Sequence, residues 1–222
     1  MKTPLRRHDL AYVSDAAVVC PALHPCIQAW LADWIAAGKP LVVARQNSLP
    51  KATQPHIHLG AALPLRLERA KVACSVARTN LARTTPALST EAVSGVLLGR
   101  DRRVLARLSG LAERWGVALG VYGSTAWECL SGETYRRSDS DVDLICDVKR
   151  HDTLSPWLSA MTAAAQDMDG RLDGEIRFPG GAAVAWRELA RAGITNGGAQ
   201  VLVKTLHNVG FAPVRALMGS LA

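Results

Sequence analysis

No stretch of this 222-residue chain approaches the about 20 consecutive apolar residues that a membrane-spanning helix requires. The first nine residues include two arginines, a lysine and a histidine, and they do not contain the apolar core of a secretory signal. Cysteine is scarce, with five in the chain and no CxxC pair, which is typical of reduced structural thiols. Internal repeats and low-complexity segments are absent as well. These absences predict a soluble cytoplasmic protein with no membrane partner.

Lysine is also rare. The chain has six lysines against 20 arginines, and with 19 acidic residues its formal net charge is +7. The planar guanidinium of arginine suits paired hydrogen bonds to phosphate or carboxylate, so the excess favours a polyanionic partner, although solubility explains it equally well. Hydrophobic residues make up 49% of the chain and charged residues 20%, which excludes a disordered or fibrous protein. The length suffices for one large domain or two small ones.

The N-terminal part has the pattern of a small α+β domain. Apolar residues at helical spacing predict a helix over 23–37, and Gly38 followed by Pro40 ends it. The other elements expected here are strands at 41–44, 59–64 and 69–77, with a polar loop at 45–58.

A polar stretch at 78–86 is the best candidate for a boundary, so we predict domains at 1–84 and 85–222. The second of these alternates strands and helices, and the whole chain is therefore predicted to be α+β with mixed α/β character. The elements expected in it are helices at 89–97, 101–115, 125–130, 152–168 and 186–192, with strands at 117–122, 139–146, 171–178 and 201–203.

The most informative segment is acidic. If residues 139–146 form a strand, Asp139, Asp141 and Asp143 project from one face, because alternate side chains of a strand share a face. Three carboxylates on one face repel one another unless a cation lies between them. A divalent ion such as Mg²⁺, carrying a triphosphate, is the natural compensation, and it would stabilise the charge on a departing diphosphate.

Gly123 and Ser124 complete the pattern, because they lie between the strand at 117–122 and the following helix. Glycine allows close approach of the backbone to a phosphate, and the helix N-terminus supplies free N–H donors. Each half of this constellation is weak alone. Together they predict a phosphate-handling catalytic site.

This constellation resembles the nucleotidyltransferase superfamily with its GS…DxD signature. Longer blocks resemble one bacterial family, the malonate decarboxylase holo-acyl-carrier-protein synthases, or phosphoribosyl-dephospho-CoA transferases. The resemblance extends from about Arg7 to the C-terminus. The blocks that carry it are RHDL at 7–10, PLVVAR at 40–45, LGAALP at 59–64, VYGSTAWE at 121–128, LSGETY at 130–135, LDGE at 172–175 and AWREL at 185–189.

The resemblance implies a nucleotidyltransferase-like C-terminal domain that uses Mg²⁺. It also implies transfer of the 2'-(5''-phosphoribosyl)-3'-dephospho-CoA group from 2'-(5''-triphosphoribosyl)-3'-dephospho-CoA to a serine of the apo acyl-carrier subunit of malonate decarboxylase, with release of diphosphate. Asp141 and Asp143 match the motif positions of the metal-binding, catalytic pair. A third carboxylate usually comes from a later strand, and Asp173 and Glu175 are both candidates.

Several assignments stay open at this level. Asp139 is one acid more than the motif requires, and Arg136 and Arg137 either clamp phosphates or lie in a solvated loop. His8 and Asp9 either bind substrate or are structural. Two other functions are consistent with the sequence: a nucleotidyltransferase acting on a citrate lyase carrier, a small molecule or an RNA end, and a non-catalytic nucleic-acid-binding module. The second is disfavoured, because the chain has no dense basic run and its densest functional cluster is acidic.

Overall fold

A computed structural model of the chain describes residues 4–14, 18–21, 23–46 and 56–222. In chain order the described elements are β1 (Leu10–Val13), α1 (Pro25–Ala36), β2 (Leu41–Val43), β3 (His56–Ala62), β4 (Lys71–Ala77), β5 (Leu81–Thr85), α2 (Gly99–Trp115), β6 (Ala118–Tyr122), α3 (Gly123–Ser131), β7 (Val142–Asp147), α4 (His151–Asp167), β8 (Leu172–Arg177), β9 (Ala183–Ala185), α5 (Trp186–Ala192), β10 (Gln200–Lys204), β11 (Val209–Pro213) and α6 (Val214–Met218). The chain is an α+β protein, as predicted.

The N-terminal sheet has the strand order β4-β3-β2-β1-β5, and its paired strands are antiparallel. Helix α1 buries Trp30, Leu31 and Trp34, in one hydrophobic cluster with the inward residues of the sheet. The helix ends where predicted, because Gly38 adopts a φ of +67° that most residues avoid.

The C-terminal sheet has the strand order β11-β10-β9-β8-β7-β6, and β7 and β8 are its parallel pair. A parallel pair needs a crossover connection, which α4 provides. Helices α2 and α4 pack together over the hydrophobic cluster of this sheet. Both have 17 residues, and no helix in the described part of the chain is long and apolar enough to cross a membrane.

In two places the structure has a different type of element from the one that the sequence predicts. Residues 90–96 form consecutive turns instead of a helix, although Val93 and Leu97 are buried as expected. The Oγ of Ser89 accepts the N–H of Ala92, which is the bond of a helix N-cap, but the backbone bonds that follow, from Ser94 to Glu91 and from Val96 to Val93, span three residues instead of four. The polar stretch 78–86 contains β5, a sheet-edge strand with half-exposed residues that pairs with β1. The predicted boundary between residues 84 and 85 therefore falls inside a strand.

Two other differences concern the bounds of strands. The strand expected at 139–146 begins only at Val142, so Asp139 and Asp141 precede it. Of the loop expected at 45–58, residues 47–55 lie outside the described part of the chain, whereas 56–58 already belong to β3. The start of β3 was not predicted from the sequence, because its first residue, His56, is polar and exposed.

The two halves are packed together. Trp127 and Tyr135, from the C-terminal half, are buried in the hydrophobic cluster of the N-terminal sheet. The hydroxyl of Tyr135 donates a hydrogen bond of 3.1 Å to the carbonyl of Ala62. The N–H of Leu65 donates one of 2.8 Å to the carbonyl of Thr134. The turn between β3 and β4 is thus fixed to the C-terminal half.

The segment that precedes β1 belongs to the N-terminal half but contacts strands of the C-terminal sheet. Arg6 lies 3.1 Å from the Asp147 carboxylate at the end of β7. Arg177, at the end of β8, also pairs with Asp147 and donates a hydrogen bond of 3.0 Å to the carbonyl of Arg7. Arg177 is only 5% exposed, so a buried guanidinium lies at the centre of the ion-pair network that joins the segment before β1 to two strands of the second sheet.

Candidate active site

A cavity of about 670 Å³ lies between the two halves. Residues from the N-terminal half that line it include His8, Gly60, Ala62, Leu63, Arg69, Lys71 and Val72. Residues from the C-terminal half that line it include Tyr122, Gly123, Ser124, Trp127, Arg137, Asp139, Asp141 and Asp143. Both parts of the predicted constellation, the GS turn and the acidic segment, therefore line one cavity.

Gly123 joins β6 to α3 at a φ of +68°, a conformation that favours glycine. It also leaves room for a neighbour, because a Cβ at this position would lie 1.9 Å from Oδ2 of Asp143. The glycine thus allows the Asp143 carboxylate to lie directly against the start of α3, beside Ser124. This contact joins the two parts of the motif.

The carboxylates are close together because of strand register. Asp143 on β7 is directly opposite Asp173 on β8, and directly opposed residues share a face of the sheet. Burial raises the pKa of Asp143, and the charges of Asp173 and Asp141 raise it further, to about 7, against the opposing charges of Arg69 and Lys71. Asp139 lies in the exposed turn before β7 and also lines the cavity. The acidic side of the cavity is therefore electrostatically strained.

This set of donors suits a hard divalent cation. In the part of the chain that the structure describes, no three His, Cys, Asp or Glu side chains form a ready set of metal ligands. Mg²⁺ needs no such set, because it usually keeps several waters and binds one or two carboxylates together with substrate phosphates. A cation at Asp141 and Asp143 would relieve the repulsion that raises the Asp143 pKa. The residues present fit a Mg²⁺ ion that arrives with phosphate.

Asp173 and Glu175 have different surroundings. Glu175 is 4% exposed, and its carboxylate lies 2.9 Å from Nζ of Lys204, 3.3 Å from Nε2 of His8 and 3.5 Å from Nη1 of Arg7. Burial opposes its ionisation, but the hydrogen bonds from His8 and Lys204 and the charge of Arg7 prevail and lower its pKa to about 2. Glu175 is thus a neutralised structural anion, whereas Asp173 is the acid opposite Asp143.

Replacing Glu175 with Gln should therefore destabilise the protein by about 3 kcal/mol at pH 7, because it leaves the partly buried Arg7 and Lys204 without their counter-ion. The folded-state pKa of Glu175 is depressed, so its contribution is complete above pH 4.5 and declines as the pH falls toward 2. The difference in unfolding free energy between wild type and variant should shrink over that interval.

Urea denaturation at several pH values measures this difference. Glu113→Gln is the matched control, since Glu113 is exposed on α2, and it should change stability little. A Glu175→Gln protein as stable as wild type at pH 7 would contradict the ion-pair assignment.

The two predicted phosphate arginines are separated. Arg136 is held by Glu128, with Nη2 2.7 Å from Oε1, and it also donates to the carbonyl of Val96. It does not line the cavity, so the structure does not bring this predicted residue to the site; its guanidinium orders the loop before β7 instead. Arg137 is exposed and lines the cavity beside Asp139 and Asp141.

The cavity also contains residues that were not identified from the sequence as site residues, among them Arg69, Lys71 and Tyr122. Arg69 and Lys71 come from the turn before β4 and from its first residue, and no local motif marks them. Tyr122 precedes the GS turn, and its ring stacks on that of His8 at 3.9 Å. The predicted alternative that His8 is structural agrees with its contact to Glu175, although His8 also lines the cavity.

Comparison with known proteins covers nearly the whole chain. Residues 6–87 match the family model of the phosphoribosyl-dephospho-CoA transferase MdcG N-terminal domain, and residues 88–214 match that of the MdcG C-terminal domain. No solved structure matches.

Individual relatives carry the same description. A protein named phosphoribosyl-dephospho-CoA transferase from Xanthomonas euvesicatoria pv. vesicatoria is 30% identical over 211 residues, 95% of each chain. Proteins of the same name from Xanthomonas campestris pv. campestris and Bradyrhizobium diazoefficiens are 32% and 30% identical. The first of these two covers 95% of each chain, and the second covers 93% of this chain and 89% of the relative.

Proposed function

Because the chain belongs to the phosphoribosyl-dephospho-CoA transferase family, it is a transferase enzyme, and we propose its substrates and site. The donor is 2'-(5''-triphosphoribosyl)-3'-dephospho-CoA, and the acceptor is a serine of the apo acyl-carrier subunit of malonate decarboxylase. The products are the phosphodiester-linked carrier and diphosphate. The site is built on a nucleotidyltransferase-like C-terminal half and works in the cytoplasm.

One observation supports this proposal above the others. Asp141 and Asp143 line a cavity beside the Gly123–Ser124 turn, and the opposite wall of this cavity carries cations. Asp173 does not line the cavity, but it lies directly opposite Asp143 in the strand pair and acts on its charge. Phosphoryl transfer depends on positioning and on electrostatic stabilisation of phosphate oxygens more than on covalent catalysis. Acidic residues that hold a cation, free N–H donors at the start of α3 and a basic wall are what this chemistry requires.

The residues divide the work as follows. Asp141 and Asp143 would hold Mg²⁺, which when bound would neutralise charge on the phosphates of the donor. Ser124 and the first N–H groups of α3 bind phosphate oxygens. Asp173 accepts the hydroxyl proton of the carrier serine while the serine oxygen forms the bond to the α-phosphorus. The bond from the α-phosphorus to the bridging oxygen breaks, and diphosphate leaves with the electron pair.

The arginine excess gives little support to a nucleic-acid-binding module. Within the described residues, many of the arginines are already in ion pairs with acidic side chains. They are Arg6, Arg7, Arg66, Arg100, Arg107, Arg136, Arg150, Arg171 and Arg177. Paired guanidinium groups contribute less to the salt-dependent attraction of a nucleic acid than free ones.

Mass spectrometry of the carrier tests the proposal. The full-length protein, Mg²⁺ and the triphosphate donor should add one phosphoribosyl-dephospho-CoA group to the apo carrier and release one equivalent of diphosphate. A carrier whose serine is replaced by alanine is the control and should gain no mass. Transfer to a citrate lyase carrier, a small molecule or an RNA end, with the malonate decarboxylase carrier unchanged, would contradict the proposed acceptor.

A further inference from the structure

Two cations in the wall opposite the carboxylates have no assigned role. Arg69 and Lys71 are exposed, line the cavity and are close enough to Asp143 to act on its charge. In the described part of the chain neither side chain has an ion-pair partner within 4.0 Å or a hydrogen bond, whereas the nearby Arg66 pairs with Glu133. Two unpaired cations that face a cavity leave charge available for a ligand.

The turn that carries these cations has an unusual backbone. Glu68 and Arg69 have φ values of +58° and +56°, and consecutive left-handed residues other than glycine are rare. Local hydrogen bonds hold the turn, since the N–H of Arg69 donates to the carbonyl of Pro64 at 3.3 Å and the N–H of Leu63 to that of Ala70 at 2.9 Å. Strained backbone that the surrounding structure maintains is concentrated at functional sites.

The turn is also fixed relative to the acidic side of the cavity. It is the same turn that the Leu65–Thr134 hydrogen bond ties to the loop before β7. Since β7 carries Asp143, the cations and the carboxylates belong to one connected framework across the cavity. The distance between the two walls is therefore set before a ligand binds, as electrostatic stabilisation of a transition state requires.

We propose that Arg69 and Lys71 form the binding site for the β- and γ-phosphates of the donor, the part that departs as diphosphate. The guanidinium fork suits two phosphate oxygens, and the ammonium group of lysine acts as a point charge. As the bond between the α-phosphorus and the bridging oxygen breaks, negative charge accumulates on the diphosphate, next to these cations. This assignment rests on the proposed function, and it gives the N-terminal half a direct part in the reaction.

Binding of inorganic diphosphate in the presence of Mg²⁺ tests the site without the carrier. Isothermal titration calorimetry should show about tenfold or greater weakening for Arg69→Gly and for Lys71→Gln, as expected for loss of a charged hydrogen bond. Glycine suits the positive φ at position 69, so Arg69→Gly keeps the turn and removes only the side chain. Lys71→Arg should retain most of the affinity, and Arg78→Gln, an exposed cation beyond the other end of β4, should bind like wild type.

Steady-state transfer gives a second readout. Arg69→Gly and Lys71→Gln should each raise KM for the triphosphate donor and the inhibition constant of diphosphate, while KM for the carrier stays unchanged. Wild-type protein that binds no diphosphate, or variants that bind it as tightly as wild type, would overturn the site even if the carrier is modified normally. Conversely, weakened diphosphate binding in both variants with no carrier modification by wild type would support the site and contradict the proposed function.

Discussion

Asp143→Asn is expected to slow transfer to the carrier by about 1000-fold or more and to make the protein more stable at pH 8. The loss of rate follows because the amide removes a negative ligand of the proposed metal, and such an ion supplies several kcal/mol of transition-state stabilisation. The gain in stability follows from the pKa of about 7. An acid whose folded-state pKa is raised destabilises the fold increasingly as the pH rises above its unfolded pKa of 3.8, and fully above its folded pKa, so its removal increases stability at pH 8.

Opposite changes in rate and stability distinguish this result from simple damage. The rate is measured as carrier mass gained with time, and stability as the thermal midpoint in metal-free buffer at pH 8. Asp141→Asn should also abolish transfer, whereas Asp169→Asn, an exposed acid paired with Arg100, should retain the wild-type rate. An Asp143→Asn protein within tenfold of the wild-type rate would refute the site assignment.

Gly174→Ala should have the largest effect on folding, a loss of about 4 kcal/mol or more in the free energy of unfolding. Gly174 lies opposite Leu144 in the parallel pair, with a φ of +139°. A Cβ there would be 2.0 Å from the carbonyl oxygen of Leu144 and 2.7 Å from its nitrogen. Because these are backbone atoms, no side-chain rotation relieves the clash, and β7 and β8 must separate.

Urea denaturation of the purified variant measures the loss, and a low soluble yield is the expected outcome where the protein does not survive purification. Gly170→Ala separates the cost of a positive φ from the cost of a steric clash with the neighbouring strand. Gly170 also has a positive φ, +81°, but a Cβ there would meet nothing within 4 Å, so about 1 kcal/mol is expected. If Gly174→Ala costs no more than Gly170→Ala, the close approach of β7 and β8 is wrong.

The parts of the site that could be predicted depend on local pattern. Helices α2 and α4 and strand β8 follow from apolar spacing, and the GS turn from its position between a strand and a helix. The shared strand face of Asp139, Asp141 and Asp143 was wrong in detail, because β7 begins only at Val142. The acids still line one cavity, since Asp139 and Asp141 lie in the turn that leads into the strand.

The parts that could not be predicted depend on contacts between distant segments. Whether Asp173 or Glu175 joins the acidic cluster is decided by Arg7 and Lys204, which lie far from both in the chain. Arg69 meets the acidic side only because the turn before β4 is attached to the loop before β7. The pattern of a single sequence does not show which distant segments lie next to each other. Their positions on opposite sides of the cavity are therefore known only from the folded structure.

The ion pairs of the first residues also determine how the chain can be divided. Strand β1 lies inside the N-terminal sheet, yet Arg6 and Arg7 just before it neutralise acids on β7 and β8, and His8 donates a hydrogen bond to Glu175. A fragment that begins after β5 would contain the GS turn and the acidic motif, but it would bury Glu175 with two of its three partners missing. The catalytic half is thus completed by residues that precede it in the chain. During synthesis these partners of Glu175 have therefore already been made when β8 leaves the ribosome.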